Sequence, residues 1–211
     1  MENITIIILL LGFLPILFLF KKNSLFKSFG SIIPFVFLIF LSSFYELIFT
    51  YFYKINVSFW FLVYNILSFF CIFYFFYLEL NKKNKLFFLL IFKLFIILLI
   101  YFYYNFNIHD ILIINSHFKI FITSFILIST TLWFVKLINE GNVHNLLQTG
   151  SFYFIAGFVL YYCGTLFLFL LSDQLYKMDT NLLSYYWGIN IFLNFVLRSL
   201  VIVGLWKLRI K

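Results

Sequence analysis

Apolar residues along the chain gather in runs of about twenty, and short polar segments separate these runs. A helix rises ~1.5 Å per residue, so each run is long enough to cross the ~30 Å hydrocarbon core of a bilayer. Transmembrane β-strands alternate polar and apolar positions and are about half as long. The pattern therefore predicts seven transmembrane helices, with approximate bounds 4–20, 32–53, 57–80, 86–104, 118–137, 151–172 and 183–206.

The composition agrees with a membrane protein. The 211 residues are 65% hydrophobic and only 10% charged, whereas a soluble domain is roughly half apolar and a quarter charged. Every loop between the predicted spans is too short to form a separate domain. We therefore predict one all-α integral membrane domain over residues 1–211. It is a polytopic seven-helix bundle in the cell (inner) membrane, surrounded by the lipid bilayer.

The first apolar run, within MENITIIILLLGFLPILFLFKK, resembles a secretory signal peptide in its length. However, no basic segment precedes the apolar residues, and no small-x-small cleavage site precedes Lys21. The run is therefore predicted to remain in the protein as an uncleaved first span, with the N-terminus outside.

Positive charges cluster in alternate loops, and this asymmetry predicts the orientation of the bundle. Cytoplasmic loops of membrane proteins carry an excess of lysine and arginine. The basic residues follow the first, third and last spans: Lys21, Lys22, Lys27, Lys82, Lys83, Lys85, Lys207, Arg209 and Lys211. The N-terminus is therefore predicted outside and the C-terminus in the cytoplasm. These loops account for much of the net charge of +8, so no nucleic-acid partner is predicted.

Glu46 is a carboxylate inside the otherwise apolar second run. An ionisable group within the membrane is energetically expensive and indicates a functional site. In the predicted orientation Glu46 lies roughly 9–10 Å below the outer surface. Asn65, Asn190 and Asn194 fall at a similar depth. We therefore predict a polar layer in the outer half of the bundle, which is a candidate ligand-binding site.

Two cations are predicted beneath this layer, near the midplane. Asn190, Asn194 and Arg198 are spaced by four residues and share one helix face. Arg198 is the expected partner of Glu46, because a guanidinium can bridge a carboxylate and an amide. Lys93 is a possible second cation at the midplane, but the favoured interpretation is that its long side chain reaches the cytoplasmic interface. The layer is equally consistent with buried polar groups that only fix helix packing.

Small residues in the sixth span predict a helix-packing seam. Gly150, Gly157 and Gly164 are spaced by seven residues, so they lie nearly on one face of the helix. Small residues allow two helices to approach closely in lipid. We therefore expect another helix to pack against these three glycines.

The remaining polar residues match no known reaction chemistry. Cys71 and Cys163 each lie inside a span, which supports neither a structural disulfide nor a metal site. The histidines lie at loop edges without metal-ligand spacing, and no nucleophile–base pair or phosphate-binding loop is present. Glu79 and Lys136 lie at span ends and are expected to contact water. We therefore predict no catalytic residue, no metal and no cofactor.

Three stretches carry a family resemblance: SSFYELIFTYFY (42–53), YNILSFFCIFYFFY (64–77) and GFVLYYCGTLFLFLLS (157–172). They resemble the spans of small, uncharacterised seven-span bacterial membrane proteins. Some members of that group are encoded beside two-component sensor kinases. The resemblance implies a sensory or accessory role, and it assigns no catalytic residues.

Three functions remain open at this point, and the first is favoured. A sensory or accessory subunit would bind a small or lipid-like ligand in the polar layer and signal to a cytoplasmic or membrane partner protein. A small transporter or proton-coupled carrier would use Glu46 and Arg198, and it would also need polar groups in the cytoplasmic half. A membrane-embedded lipid enzyme is the least favoured function, because the single carboxylate has no positioned histidine or second acid.

Overall fold

A computed structural model describes residues 2–20, 30–54, 58–80, 84–105, 111–140, 146–178 and 180–210. Within these residues all regular structure is helical and no strand occurs. The helices are α1 (Glu2–Leu11), α2 (Leu14–Phe20), α3 (Ile33–Tyr45), a π-helix (Glu46–Phe52), α4 (Ser58–Glu79), α5 (Lys85–Tyr104), α6 (Ile111–Asn139), α7 (Gly150–Met178) and α8 (Thr180–Ile210). The predicted all-α class is therefore confirmed.

Six of the described helical segments are long and apolar enough to cross a membrane: 33–50, 59–79, 85–104, 111–139, 150–171 and 186–209. The protein is thus a multi-pass membrane protein. The segment Thr5–Phe18 is apolar but shorter, so the seventh span stays a prediction. The predicted orientation also stays a prediction, because most of the loop lysines on which it depends lie outside the described residues.

The first apolar segment is not one continuous helix, and its sequence explains why. Gly12 and Phe13 donate their backbone N–H groups three residues back, to Leu9 and Leu10, at 3.0 and 3.1 Å. In a continuous α-helix the N–H of residue 15 would donate to the Leu11 carbonyl, but Pro15 has no N–H. The chain therefore turns between α1 and α2 and then continues as a second short helix.

α6 begins earlier than predicted, at Ile111 rather than at residue 118. The prediction failed because Asn115 and Ser116 look like part of a polar loop, and Lys119 at the edge of the predicted span adds a charge close to them. All three side chains are buried against the rest of the bundle. Polar residues that face other helices are compatible with a span, whereas the same residues facing lipid are not.

α7 and α8 share the largest helix–helix interface among the described elements, and all three seam glycines face α8. A Cβ on Gly150 would lie 2.7 Å from the Gly204 carbonyl oxygen. A Cβ on Gly157 would lie 3.2 Å from Leu197 Cδ1, and one on Gly164 would lie 2.7 Å from Leu193 Cδ1. The seam therefore joins α7 to α8, and the absence of side chains allows the close approach.

Phenylalanine rings fill the centre of the bundle between α4, α5 and α6. Phe69 of α4 is fully buried and stacks on Phe95 of α5 with 3.7 Å between ring centroids. Phe121 and Phe125 of α6 pack on the same ring at 5.7 and 5.6 Å. α5 buries few of its other side chains, so it lies at the edge of the bundle and presents most of its surface outward.

Candidate functional site

A polar cavity lies between α1, the junction of α3 with the π-helix, α4, α7 and α8. Its volume is about 170 Å³. Polar and aromatic side chains dominate the wall, and three aliphatic residues complete it: Thr5, Ile8, Leu9, Ser42, Glu46, Phe61, Tyr64, Tyr161, Trp187, Asn190, Ile191, Asn194 and Arg198. In the predicted orientation this is the outer half of the bundle.

Glu46 enters the cavity wall at the residue where the α-helix changes to a π-helix. Its backbone N–H is shared between the carbonyls of Ser42 and Ser43, and the Ser42 hydroxyl donates to Glu46 Oε1 at 2.8 Å. At the other end of the π-helix the Tyr53 N–H bonds five residues back, to Ile48. Wide turns of this type are rare, and they occur frequently at functional sites.

Arg198 closes the cavity from α8, and its side chain is 2% exposed. Its Nε donates to Asn194 Oδ1 at 3.0 Å, one turn earlier on the same helix. Its Nη1 donates to the backbone carbonyl of Ile8, in the last turn of α1. A cation is favourable at this place because the C-terminal carbonyls of a helix carry partial negative charge.

Gly12 provides the space in which this contact forms. A Cβ at this position would lie 2.9 Å from Arg198 Nη1 and would overlap the side chain of Ser43. The small residue therefore lets the end of α1, α3 and α8 meet at one point. The break after α1 is thus part of the cavity's construction.

The expected pairing of Arg198 with Glu46 needs correction. Both side chains line the same cavity and are close enough to interact electrostatically. In the described structure, however, the hydrogen bonds of Glu46 and Arg198 go to Ser42, Asn194 and Ile8, and no direct bond joins the two. The guanidinium therefore bonds to its own helix and to α1, and the carboxylate bonds within its own helix.

Asn190 contributes an acceptor that the protein leaves unused. Its side chain is 6% exposed, it lines the cavity, and its Oδ1 has no hydrogen-bond partner. A buried polar atom without a partner costs free energy unless water or a ligand satisfies it. Phe61 and Trp187 stand beside it, edge to face at 5.3 Å, and form an aromatic wall.

Two of the residues predicted in or near the polar layer lie elsewhere. The Asn65 amide donates to Asn115 Oδ1 at 3.1 Å, which joins α4 to α6, and Asn65 does not line the cavity. Its neighbour Tyr64 takes that place instead. Lys93 is exposed on α5, at the edge of the bundle, so it is not a cation beneath the layer. Its exposure is compatible with the favoured interpretation, in which the side chain reaches the interface.

Lys119 is a buried cation that the sequence analysis did not identify as a candidate. It is 1% exposed, and its Nζ lies 4.2 Å from the ring centroids of both Tyr161 and Tyr162. Phe169 adds a third ring at 4.8 Å. The spacing of Asn115, Lys119 and Thr123 at four-residue intervals is the signal that was available, since it marks one polar face of α6.

Glu79 and Lys136 were expected to contact water; both are partly exposed, and both also bond to other helices. Glu79 Oε1 accepts a hydrogen bond from Ser151 at 3.0 Å, and the Glu79 carbonyl accepts one from Lys136 Nζ at 2.7 Å. These contacts join the end of α4 to α6 and α7 at the opposite end of the bundle from the cavity. They fix helix ends and add no group to the cavity.

The described residues offer few groups for metal binding or redox chemistry. No cluster of three or more His, Cys, Asp or Glu side chains occurs there. Cys71 and Cys163 are both free thiols, and both are partly buried. The cavity is therefore a set of hydrogen-bonding and charged groups suited to holding a small polar molecule.

Comparison of the chain with protein-family models, with curated proteins and with solved structures finds no match in any of the three.

Proposed function

We propose that this protein is a membrane-embedded sensory or accessory subunit that binds a small ligand in the polar cavity. The observation that carries the proposal is the position of Glu46. It combines a cavity-lining carboxylate with the first residue of a π-helix. The π-helix has an alternative conformation, the ordinary α-helix. A ligand that bonds to this carboxylate therefore acts on the equilibrium between the two helix types.

The signal would pass to another protein through the helices that the ligand touches. The cavity joins α1, α3, α4, α7 and α8, so a change in its occupancy bears on most of the bundle. α8 extends from the cavity wall to Ile210, which the predicted orientation places at the cytoplasmic side. The resemblance to proteins encoded beside sensor kinases supports a partner of that class.

A transporter is less well supported, because the cavity ends at an apolar layer. The face of α8 that carries Asn190, Asn194 and Arg198 continues as Val201 and Leu205, and both are fully buried. Phe154 and Phe158 of α7 are buried at the same levels. A carrier would have to open this layer during each cycle, whereas a receptor needs only the cavity.

Site-specific photo-crosslinking in membranes of the source organism tests the proposal. A crosslinker at Trp206, which is exposed near the end of α8, is expected to capture one defined partner. Glu46→Gln is expected to change the yield, and Lys93→Gln on the exposed face of α5 serves as the matched control. Two results together would replace the sensory proposal by the transporter: a crosslinking yield that is the same in Glu46→Gln, and uptake of labelled amino acids or amines by proteoliposomes.

A further inference from the structure

We infer that the ligand of the cavity is a small zwitterion that carries one ammonium and one carboxylate group, of the size of a simple amino acid. The inference rests on the ligand-binding part of the proposed function and is independent of the signalling part. It follows from the cavity's volume, from its unused hydrogen-bonding groups and from its balance of charge.

The volume limits the ligand to a few heavy atoms. A cavity of about 170 Å³ holds the equivalent of roughly five or six water molecules at the liquid share of ~30 Å³ each. Pockets for larger organic ligands start at about 300 Å³. The cavity therefore suits a small amino acid better than a sterol or a phospholipid headgroup with its glycerol.

Two groups in the cavity wall can accept hydrogen bonds from a ligand. Asn190 Oδ1 is a buried acceptor without a partner, and only one of the two Glu46 carboxylate oxygens accepts the bond from Ser42. A carboxylate offers further lone pairs after a single bond. Phe61 and Trp187 add aromatic faces, which attract ammonium groups. These groups together match a primary ammonium, which has three N–H donors and a positive charge.

Arg198, which also lines the cavity, supplies donors and positive charge. A guanidinium has five N–H groups, and the bonds of Arg198 to Asn194 and Ile8 use two of them. The remaining donors are in a planar fork that suits a carboxylate. Because Glu46 does not occupy this fork, a carboxylate of the ligand can bind there.

The net charge of the ligand is the reason to expect a zwitterion and not a simple amine or acid. Glu46 and Arg198 carry opposite formal charges, so the cavity is formally neutral. A cationic or anionic ligand would bring an additional charge into a low-dielectric environment, where an uncompensated charge is expensive. A zwitterion leaves the net charge unchanged and pairs both of its ends.

The test uses Trp187, which lines the cavity, as a fluorescent reporter in the purified full-length protein. The ligands are glycine, β-alanine and γ-aminobutyrate, each compared with the acid and the amine of the same chain length. At least one zwitterion is expected to change the fluorescence and to bind roughly tenfold or more tightly than its two counterparts. Trp187→Phe should remove the signal.

Variants then test the groups assigned to the ammonium end of the ligand. Glu46→Gln and Asn190→Leu are expected to weaken zwitterion binding roughly 10- to 100-fold. Glu79→Gln, at the other end of the bundle, is expected to have no effect. An acid or an amine that binds as tightly as every zwitterion would overturn the inference, and so would a panel in which no zwitterion binds. Zwitterion binding without Glu46-dependent crosslinking would instead contradict only the signalling function.

Discussion

Arg198 of α8 donates a hydrogen bond to the backbone carbonyl of Ile8, and this contact ties the last helix of the chain to the first. The same guanidinium bonds to Asn194 and lines the cavity together with Glu46. One residue therefore fixes the end of α1, orients an amide of the wall and supplies the positive charge of the site. The packing of α1 and the chemistry of the cavity consequently depend on the same side chain.

Arg198→Met is expected to lower the free energy of unfolding by about 3 kcal/mol or more. Removing one member of a buried charged network leaves the other groups without partners, here the Asn194 side-chain oxygen and the Ile8 carbonyl. Unfolding of the purified protein in mixed micelles measures the effect. Arg209→Met, at the exposed end of the same helix, is the control. Equal stability of the two variants would show that Arg198 does not hold α1 in place.

Gly150→Ala is expected to destabilise the protein by about 1–3 kcal/mol, and more than Gly157→Ala does. At position 150 the added methyl group meets the Gly204 carbonyl oxygen, which is backbone and can move only with its helix. At position 157 it meets a methyl group of Leu197, which can rotate away. Thermal unfolding of the two variants ranks them, and the reverse order would contradict the assigned seam.

The fold class was predictable because long apolar runs have few alternatives to transmembrane helices. The errors occurred where burial depends on neighbouring helices. Asn115 and Lys119 look like loop residues, yet they face the interior of the bundle from α6. The break near Gly12 was missed because the apolar run continues through it. Only the local backbone bonding reveals that the helix ends there.

The cavity was predictable in part. Asn190, Asn194 and Arg198 lie on one face of a helix, and helical periodicity is a local property that a sequence reveals. The contact of Arg198 with Ile8 was not predictable, because a backbone carbonyl has the same chemistry at every position. The sequence also did not reveal that Tyr64 lines the cavity whereas Asn65 bonds to α6, because this depends on how α4 is rotated in the bundle.

A double-mutant cycle on Asn65 and Asn115 is expected to give a coupling free energy of about 0.5–2 kcal/mol. Hydrogen bonds between transmembrane helices have values in this range, and the bond between the two amides is 3.1 Å long and buried. Replacement of both residues by leucine should therefore cost less than the sum of the single replacements. Strictly additive effects would show that this bond does not contribute to the stability of the α4–α6 interface.

Lys119→Met is expected to leave the stability unchanged or to raise it. The aromatic rings around Nζ contribute up to about 2 kcal/mol, whereas burial of an ammonium group costs several kcal/mol. Methionine retains the length of the side chain and packs well on aromatic rings. Lys93→Met, exposed on α5, should stay within about 0.5 kcal/mol of the natural protein. A clear loss in Lys119→Met alone would indicate that the cation is needed for the fold.

Reporters at both termini are expected to place the N-terminus outside and the C-terminus in the cytoplasm. α1 and α2 together occupy residues 2–20, which are ~28 Å long at ~1.5 Å per residue when the two helix axes are nearly aligned. This length is close to the hydrocarbon thickness, so the broken segment can complete a seventh span. A reporter that works only outside should be silent after Lys211 and active before Met1. Reporters on the same side would mean that α1 and α2 enter and leave through one face. Arg198 would then hold a re-entrant segment against α8.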